Sequence, residues 1–130
     1  MTLLDTNIVI HALRGNEKVV RRFEERAGSI ALPAMVLGEL LYGVAKSRSP
    51  AKNGELLNAL IATIPVIHTT DEIMQTFADQ KAALSLRGEV VEDADTMIAA
   101  TAIAYVATLA TGNTRHFTRF EGLRIENWCA

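Results

Sequence analysis

The sequence is poor in cysteine, in long apolar runs and in targeting signals. Cys129 is the only cysteine in 130 residues, so no intrachain disulfide can form and nothing indicates an oxidising compartment. A charge-free stretch of 19 residues, 96–114, contains five threonines, a tyrosine and a glycine, which favours a buried helix and strand over a membrane span. Residues 1–13 have no basic n-region and include Asp5 within their apolar stretch. We therefore expect no signal peptide, no membrane association and a cytoplasmic protein.

Composition and patterning predict one globular α/β domain over residues 1–130. Apolar residues make up 49% of the chain and charged residues 22%, a balance typical of one packed core. Short apolar runs predict strands at 2–5, 29–32, 65–68, 107–111 and 123–126, and helical spacing predicts helices at 7–14, 17–27, 33–46, 51–63, 71–87 and 94–106. Strands that alternate with helices predict a mainly parallel sheet with right-handed crossovers. Pro33 is expected to open the third helix, and Thr70 or Asp71 to cap the fifth.

Asp5 is the first of four acidic residues that lie where the pattern predicts apolar or neutral side chains. It follows Leu3 and Leu4 at the carboxyl end of the first predicted strand, the edge of a parallel sheet that faces a ligand crevice. An aspartate at this point can equally cap a helix or form a turn, with Thr6 or Asn7 competing for that role.

The other three acids lie on two predicted helices. Glu39 lies at the edge of an apolar stripe in VLGELLYGV (36–44), where a carboxylate needs a partner, and a salt bridge or a side chain reaching solvent is the alternative to a functional role. Asp95 opens the charge-free helix, whose N-terminus stabilises a negative charge. Asp93 could cap that helix while Asp95 binds a ligand, or both could bind. We favour Asp95 as the ligand and Asp93 as an auxiliary residue.

Carboxylates that converge from distant segments indicate a divalent-cation site. Oxygen ligands suit Mg²⁺ and Mn²⁺, and clustered carboxylates do not readily all stay ionised without a cation. With no cysteine pair and only three scattered histidines, a zinc site is not expected, and no GxxxxGK[ST] phosphate loop exists. The net charge of −2 suits an RNA-binding protein only if the four acids bind metal, because 13 basic residues then remain against 11 acidic ones.

Four segments carry a family resemblance: LLDTNIVI (3–10), GELLYGV (38–44), DADTMIAATAIA (93–104) and the tail formed by TGNTRHF (111–117) and GLRIENW (122–128). Together they resemble the PIN-domain family, specifically the VapC-like toxins of type II toxin–antitoxin systems and the related FitB-type proteins. The resemblance implies a three-layer α/β/α fold and a Mg²⁺-dependent endoribonuclease, with Mn²⁺ as the alternative ion. It also implies hydrolysis of phosphodiester bonds that leaves 5′-phosphate and 3′-hydroxyl ends.

The resemblance also implies roles for individual residues. Asp5, Glu39 and Asp95 match the metal-binding and catalytic acids of the family, and Thr6 matches its small hydroxyl residue, which orients a carboxylate or water. A fourth acid is missing from the tail motif, because relatives often carry an acid where this chain has Asn113 or His116. The candidates that replace this acid are Asn113 through a metal-bound water, His116 through the phosphate, and Asp93 through its charge.

The resemblance suggests a structured RNA, such as transfer RNA, as the substrate. Arg14, Arg115 and Arg119 are predicted RNA contacts, although Arg14 could instead belong to a solvated helix face. Aromatic residues form only 5% of the chain, so base stacking is not the main source of specificity, and recognition through RNA shape and backbone is expected.

The resemblance further implies a homodimer and a cognate antitoxin that covers the acidic site. Apolar helical residues could form that interface or belong to the core: Leu37, Leu40, Leu41, Leu56, Leu57, Leu60 and Ile61.

The sequence leaves two alternatives to a metal-dependent ribonuclease. A phosphotransfer or phosphatase domain with an aspartate after its first strand needs a second nearby acid and a late lysine, but no lysine follows Lys81. The more serious alternative is a catalytically degenerate PIN-like module, which binds antitoxin or RNA without cleaving because the fourth acid is missing.

Overall fold

The computed structural model describes all 130 residues, with five strands and seven helices. The strands are β1 (Thr2–Leu4), β2 (Ile30–Pro33), β3 (Val66–Ile67), β4 (Thr108–Thr111) and β5 (Arg124–Asn127). The helices are α1 (Thr6–Leu13), α2 (Glu17–Glu25), α3 (Ala34–Ala45), α4 (Pro50–Ile61), α5 (Asp71–Leu86), α6 (Asp93–Ala104) and α7 (Thr114–Phe117).

All five strands are parallel and form one sheet in the order β3-β2-β1-β4-β5. The chain moves from β1 outward to β3 and then returns past β1 to β4. Because right-handed crossovers that run in opposite directions leave their helices on opposite faces of a sheet, this order gives helices on both faces. The predicted three-layer α/β/α fold with a parallel sheet is confirmed.

The centre of the sheet lies at β1, between β2 and β4. Leu4 of β1 is paired with Ala110 of β4, and the Asp5 backbone N–H donates to the Ala110 carbonyl at 3.0 Å. The chain leaves β1 toward one side of the sheet and leaves β4 toward the other, so a crevice opens beyond the carboxyl ends of these two strands. Asp5 and Thr111 lie at this crevice.

The charge-free stretch 96–114 forms α6 and β4, as expected for a buried helix followed by a buried strand. Thr96 and Thr101 are buried on α6, and their hydroxyls donate to the carbonyls of Glu92 and Met97 one turn earlier. Because these hydroxyls are satisfied within the helix, burying them costs little. None of the helices combines the length and the apolar character needed to cross a membrane.

Most predicted boundaries agree with the structure to within two residues, and the differences have local causes. Thr70 caps α5 as expected, since its Oγ1 accepts from the Ile73 N–H at 3.2 Å. Pro33 is both the last residue of β2 and the N-cap residue of α3, where its lack of an N–H does not interrupt the helix. Asp93 is not the cap of α6 but its first residue, and Glu92 occupies the capping position. Helix α7 was not predicted, because four residues are too few to show an apolar repeat.

One continuous core holds the layers together. It contains 26 buried apolar residues drawn from every strand except β5, from all seven helices and from the segments between them. Its largest members include Trp128, which follows β5, and Phe117, which ends α7. These two aromatic residues fix the C-terminal segments that lie beside the crevice.

Candidate active site

Asp5 is buried at the carboxyl end of β1, and both of its carboxylate oxygens are engaged. The Thr6 N–H donates to Oδ1 at 2.8 Å, so Asp5 caps α1, and the Thr111 hydroxyl donates to Oδ2 at 2.8 Å. Asp5 therefore caps α1 and also lies at the crevice, so the two roles considered for it from the sequence do not exclude each other. Because each oxygen retains another lone pair, the carboxylate can still bind a cation.

The Asp5 carboxyl has a pKa above the ordinary value of 3.8, mainly because burial removes it from water. The hydrogen bonds from Thr111 and Thr6 lower the pKa, and the negative charges of Asp95 and Glu39 raise it. The last two effects require all three carboxylates to lie in one electrostatic neighbourhood. Of the four acids singled out in the sequence, Glu39 and Asp95 are thus near enough to Asp5 for their charges to affect its pKa.

Glu39 projects from α3 and is half-buried, and it finds the partner that its position requires. The Thr6 hydroxyl donates to Glu39 Oε1 at 2.7 Å. Thr6 therefore orients a carboxylate, which is one of the two roles that the family resemblance implied. One residue of α1 contacts both acids, through its backbone N–H to Asp5 and its side chain to Glu39.

Asp95 lies in the first turn of α6 and is paired with His116 of α7. The imidazole Nε2 lies 2.9 Å from Asp95 Oδ2, and the two side chains are only 22% and 26% exposed. The His116 ring also packs edge-on against Phe117, with ring centroids 5.3 Å apart. The short helix α7 therefore brings an imidazole to the acidic crevice.

Asp93 and Asn113, the other predicted auxiliary residues, are placed differently. The Asp93 carboxylate pairs with Lys81 of α5 at 2.9 Å on the exposed surface, although Asp93 lies only two residues from Asp95. Asn113 is exposed, and its backbone N–H donates to the Thr111 hydroxyl at 3.0 Å. The auxiliary roles of Asp93 and Asn113 remain predictions.

Thr111 is a site residue that the sequence analysis missed. It is fully buried at the end of β4, and its hydroxyl connects Asp5 with the loop before α7. The pairing of β1 with β4 would have identified Thr111. Leu4 lies opposite Ala110, so the next residues in the two parallel strands, Asp5 and Thr111, are neighbours. Without the strand order, β1 and β4 could not be known to be adjacent.

A groove of about 350 Å³ opens beside Glu39, between α1, α3 and α4. Apolar side chains line most of it, including Ile10, Leu40 and Leu56, and Arg14 lies at its wall. Arg115 and Arg119, the other predicted RNA contacts, are exposed in and after α7.

The donor set of the crevice fits a Mg²⁺ or Mn²⁺ ion that keeps part of its water shell. No group of three or more histidine, cysteine, aspartate or glutamate side chains is gathered closely enough to hold a metal ion by itself. Mg²⁺ commonly binds through one or two carboxylates and several waters, so it does not need such a group. A cation would also offset the negative charges of Asp95 and Glu39, which add to the effect of burial in raising the pKa of Asp5.

The sequence-family model of the PIN domain matches residues 2–123 of this chain. The chain belongs to the PIN-domain family. Among curated relatives it is 32% identical to Ribonuclease VapC2 of Haemophilus influenzae over 97% of this chain and 96% of that protein. It is 35% identical to the tRNA(fMet)-specific endonuclease VapC of Shigella flexneri, with the same coverage of both chains. Its full-length relatives are thus VapC enzymes that cleave RNA.

Solved structures of toxin–antitoxin complexes share the fold of this PIN-domain chain. DNA-bound VapBC from Salmonella typhimurium matches with a TM-score of 0.95 and 30% identity, and promoter-bound VapBC2 from Rickettsia felis with 0.93 and 31%, each over 98% of both chains. FitAcB from Neisseria gonorrhoeae matches with a TM-score of 0.86 and 27% identity over 98% of both chains. The predicted likeness to VapC-type and FitB-type proteins is confirmed.

Proposed function

We propose that this chain is a divalent-metal-dependent endoribonuclease that acts as the toxin of a VapBC-type toxin–antitoxin pair. The observation that carries the proposal is the buried Asp5 carboxylate at the carboxyl end of β1, which accepts from the Thr6 N–H and the Thr111 hydroxyl, while the hydroxyl of the same Thr6 donates to Glu39. The ribonuclease names of the full-length relatives agree with this chemistry.

In this proposal Asp5 and Asp95 hold the metal ion directly, and Glu39 holds a second ion or a water molecule. When bound, Mg²⁺ or Mn²⁺ stabilises the charge that develops on the scissile phosphate and makes the attacking water more acidic. Thr111 and the Thr6 N–H fix the Asp5 carboxylate, and the Thr6 hydroxyl fixes Glu39. The side chains that contact the reaction are therefore held in place before substrate binds.

The proposed substrate is a structured RNA, with transfer RNA as the first candidate. Arg14 lines the same groove as Glu39, and Arg115 and Arg119 flank His116 along the chain, which supports phosphate contacts near the acidic crevice. The Shigella flexneri relative is named for cleavage of a transfer RNA. A phosphate backbone that passes the three arginines would come within reach of the carboxylates.

The proposed partners are a cognate antitoxin and a second copy of the chain, in the cytoplasm. Leu41 and Leu56 are about half exposed, whereas Leu40 and Leu57 are buried, so the apolar residues of α3 and α4 divide between surface and core. The groove beside Glu39 gives an antitoxin segment a place to bind next to the acids. The solved complexes of VapBC and FitAB supply the precedent.

The activity is tested with the antitoxin-free protein, a transfer RNA transcript and Mg²⁺ or Mn²⁺. Asp5→Asn and Asp95→Asn should abolish cleavage, while Asp71→Asn, an exposed first-turn aspartate of α5, serves as the matched control. The products should carry 5′-phosphate and 3′-hydroxyl ends. Undiminished cleavage by Asp5→Asn or Asp95→Asn would show that the metal site has been assigned wrongly.

The alternative is a catalytically degenerate module that binds antitoxin or RNA without cleaving. The observation that favours it is His116, which lies at the predicted position of the fourth acid and is bonded to Asp95. Measurements of metal affinity and of growth after expression distinguish the two. The degenerate module should bind Mg²⁺ and Mn²⁺ feebly and leave growth unchanged, whereas the nuclease should arrest growth until a neighbouring antitoxin is co-expressed.

A further inference from the structure

Asp5, Glu39 and Asp95 form only one hydrogen bond with a nitrogen-containing side chain, which is the bond between Asp95 and His116. Its Nε2 lies 2.9 Å from Asp95 Oδ2, and neither side chain is more than about a quarter exposed. The ring is also confined on a second side by its edge-on contact with Phe117, which is buried. The imidazole therefore has a defined position at the site.

We propose that His116 is a metal ligand together with Asp95, and that this nitrogen ligand biases the site toward Mn²⁺ over Mg²⁺. The inference rests on the proposed function, because it requires a divalent cation in the crevice. It goes beyond that function by assigning His116 to the ion itself and by predicting which ion the site prefers.

The separation of the two donor atoms suits ligands of one ion. Neighbouring ligands of an octahedral ion with bonds of ~2.0–2.1 Å lie about 2.8–3.0 Å apart. The distance between His116 Nε2 and Asp95 Oδ2 falls in that range, so an ion that replaces this hydrogen bond could be held by both atoms. Water molecules would complete the shell, as is common for Mg²⁺ and similar ions that bind few protein ligands.

The choice of ion follows from ligand chemistry. Mg²⁺ is a hard cation that prefers oxygen ligands and gives up its waters reluctantly. Divalent transition ions accept imidazole more readily, and Mn²⁺ is the one among them whose preference for oxygen is most like that of Mg²⁺. Exchanging an oxygen ligand for a nitrogen therefore costs Mg²⁺ more than Mn²⁺.

Direct coordination is tested by electron spin echo envelope modulation of Mn²⁺ bound to the antitoxin-free protein. The chain has three histidines, so the source of a nitrogen signal can be identified by substitution. We expect nitrogen coupling in the wild type and in His68→Ala, whose histidine is exposed, and none in His116→Ala. A signal that survives in His116→Ala would overturn the inference.

Selectivity is tested by displacing bound Mn²⁺ with Mg²⁺ and following the free Mn²⁺ by electron paramagnetic resonance. His116→Asp, which restores an oxygen ligand, should lower the preference for Mn²⁺ over Mg²⁺ by about tenfold, the lower end of the range for altered contacts around a bound metal. His68→Asp is the charge-matched control and should leave the preference unchanged.

The outcomes separate this inference from the proposed function. Mn²⁺ binding that is lost in Asp5→Asn, together with an unchanged ion preference in His116→Asp, would overturn the role of His116 and leave the metal site intact. Failure of the wild type to bind either ion would overturn both.

Discussion

The Thr111 hydroxyl donates a hydrogen bond to Asp5 Oδ2 at 2.8 Å and so joins two residues that lie 106 positions apart. The Thr111 hydroxyl oxygen also accepts from the Asn113 N–H at 3.0 Å. One buried hydroxyl therefore fixes both the central carboxylate and the loop that leads to His116. Thr111 is a positioning residue, since it acts on the reaction through Asp5.

Removing this hydroxyl should impair cleavage more than it impairs folding. Thr111→Val keeps the shape of the side chain but frees Asp5 Oδ2 and leaves the Asn113 N–H without its acceptor. We expect kcat/KM for RNA cleavage to fall by about tenfold to a hundredfold, since small misplacements of catalytic groups cost this much. Thr111→Ser keeps the hydroxyl and should restore most of the activity. Equal losses in the two variants would show that packing, not the hydrogen bond, explains the effect.

Asp5 is expected to destabilise the metal-free protein at neutral pH. Its pKa is raised in the folded state, chiefly by burial, so the folded protein binds its proton more tightly than the unfolded chain does. The contribution of protonated Asp5 to the free energy of unfolding is therefore fully present below the ordinary pKa of 3.8. This contribution is lost as the pH rises through the raised pKa of the folded protein. Asp5→Asn removes the buried charge and can still accept the capping hydrogen bond from Thr6.

In the presence of a chelator, Asp5→Asn should raise the free energy of unfolding at neutral pH, on the order of 1 kcal/mol for a single buried substitution. The gain should shrink as the pH falls toward the ordinary range of an aspartate, because wild-type Asp5 becomes protonated there. Urea unfolding at several pH values measures both effects. A variant that is less stable than the wild type at neutral pH would show that the hydrogen bonds to Asp5 outweigh its burial.

The sequence predicted the elements well because its punctuation and apolar runs are local signals. It also selected Asp5, Glu39 and Asp95, because each is an acid at an otherwise apolar or neutral position. Thr111 gave no such signal, since a threonine at the end of a buried strand is ordinary. Its role depends on β4 lying next to β1, a long-range pairing that no local pattern specifies.

Asp93 and Asp95 show that closeness in sequence does not give two side chains the same surroundings. A helix turns through about 100° per residue, so Asp93 and Asp95 point in well-separated directions although they are close in sequence. The structure places the Asp93 carboxylate on Lys81 and the Asp95 carboxylate on His116. The two aspartates therefore have different partners, although only one residue separates them in the chain.

This difference gives a direct prediction for the two aspartates of α6. Asp95→Asn should abolish RNA cleavage, whereas Asp93→Asn should change kcat/KM by less than about threefold, because an exposed ion pair such as Asp93–Lys81 contributes little. Lys81→Gln removes the same ion pair from the other side and serves as the control. A large loss in Asp93→Asn but not in Lys81→Gln would instead support the auxiliary role for Asp93 at the metal.

The C-terminal strand is held by Glu126, whose Oε1 accepts from three side chains. Arg26 donates at 2.6 Å, the Trp128 indole at 3.1 Å and Arg22 at 3.3 Å, so one carboxylate links β5 to α2. Arg26 also lies over the Trp128 ring, 5.8 Å from its centroid. The two ion pairs are about one-third exposed, so their electrostatic contribution is only partly screened by solvent.

Glu126→Gln should therefore lower the free energy of unfolding by about 1–2 kcal/mol, because two arginines lose a charged partner. Glu121→Gln, at an exposed glutamate that forms no ion pair, should change it little. Part of the Glu126 effect should disappear at high salt, which screens the ion pairs but leaves the indole hydrogen bond in place. Urea unfolding at low and high salt tests this. If Glu126→Gln and Glu121→Gln have equal stabilities at low salt, the carboxylate does not hold β5 against α2, and strand pairing with β4 together with the packing of Trp128 on Phe23 holds β5 in place.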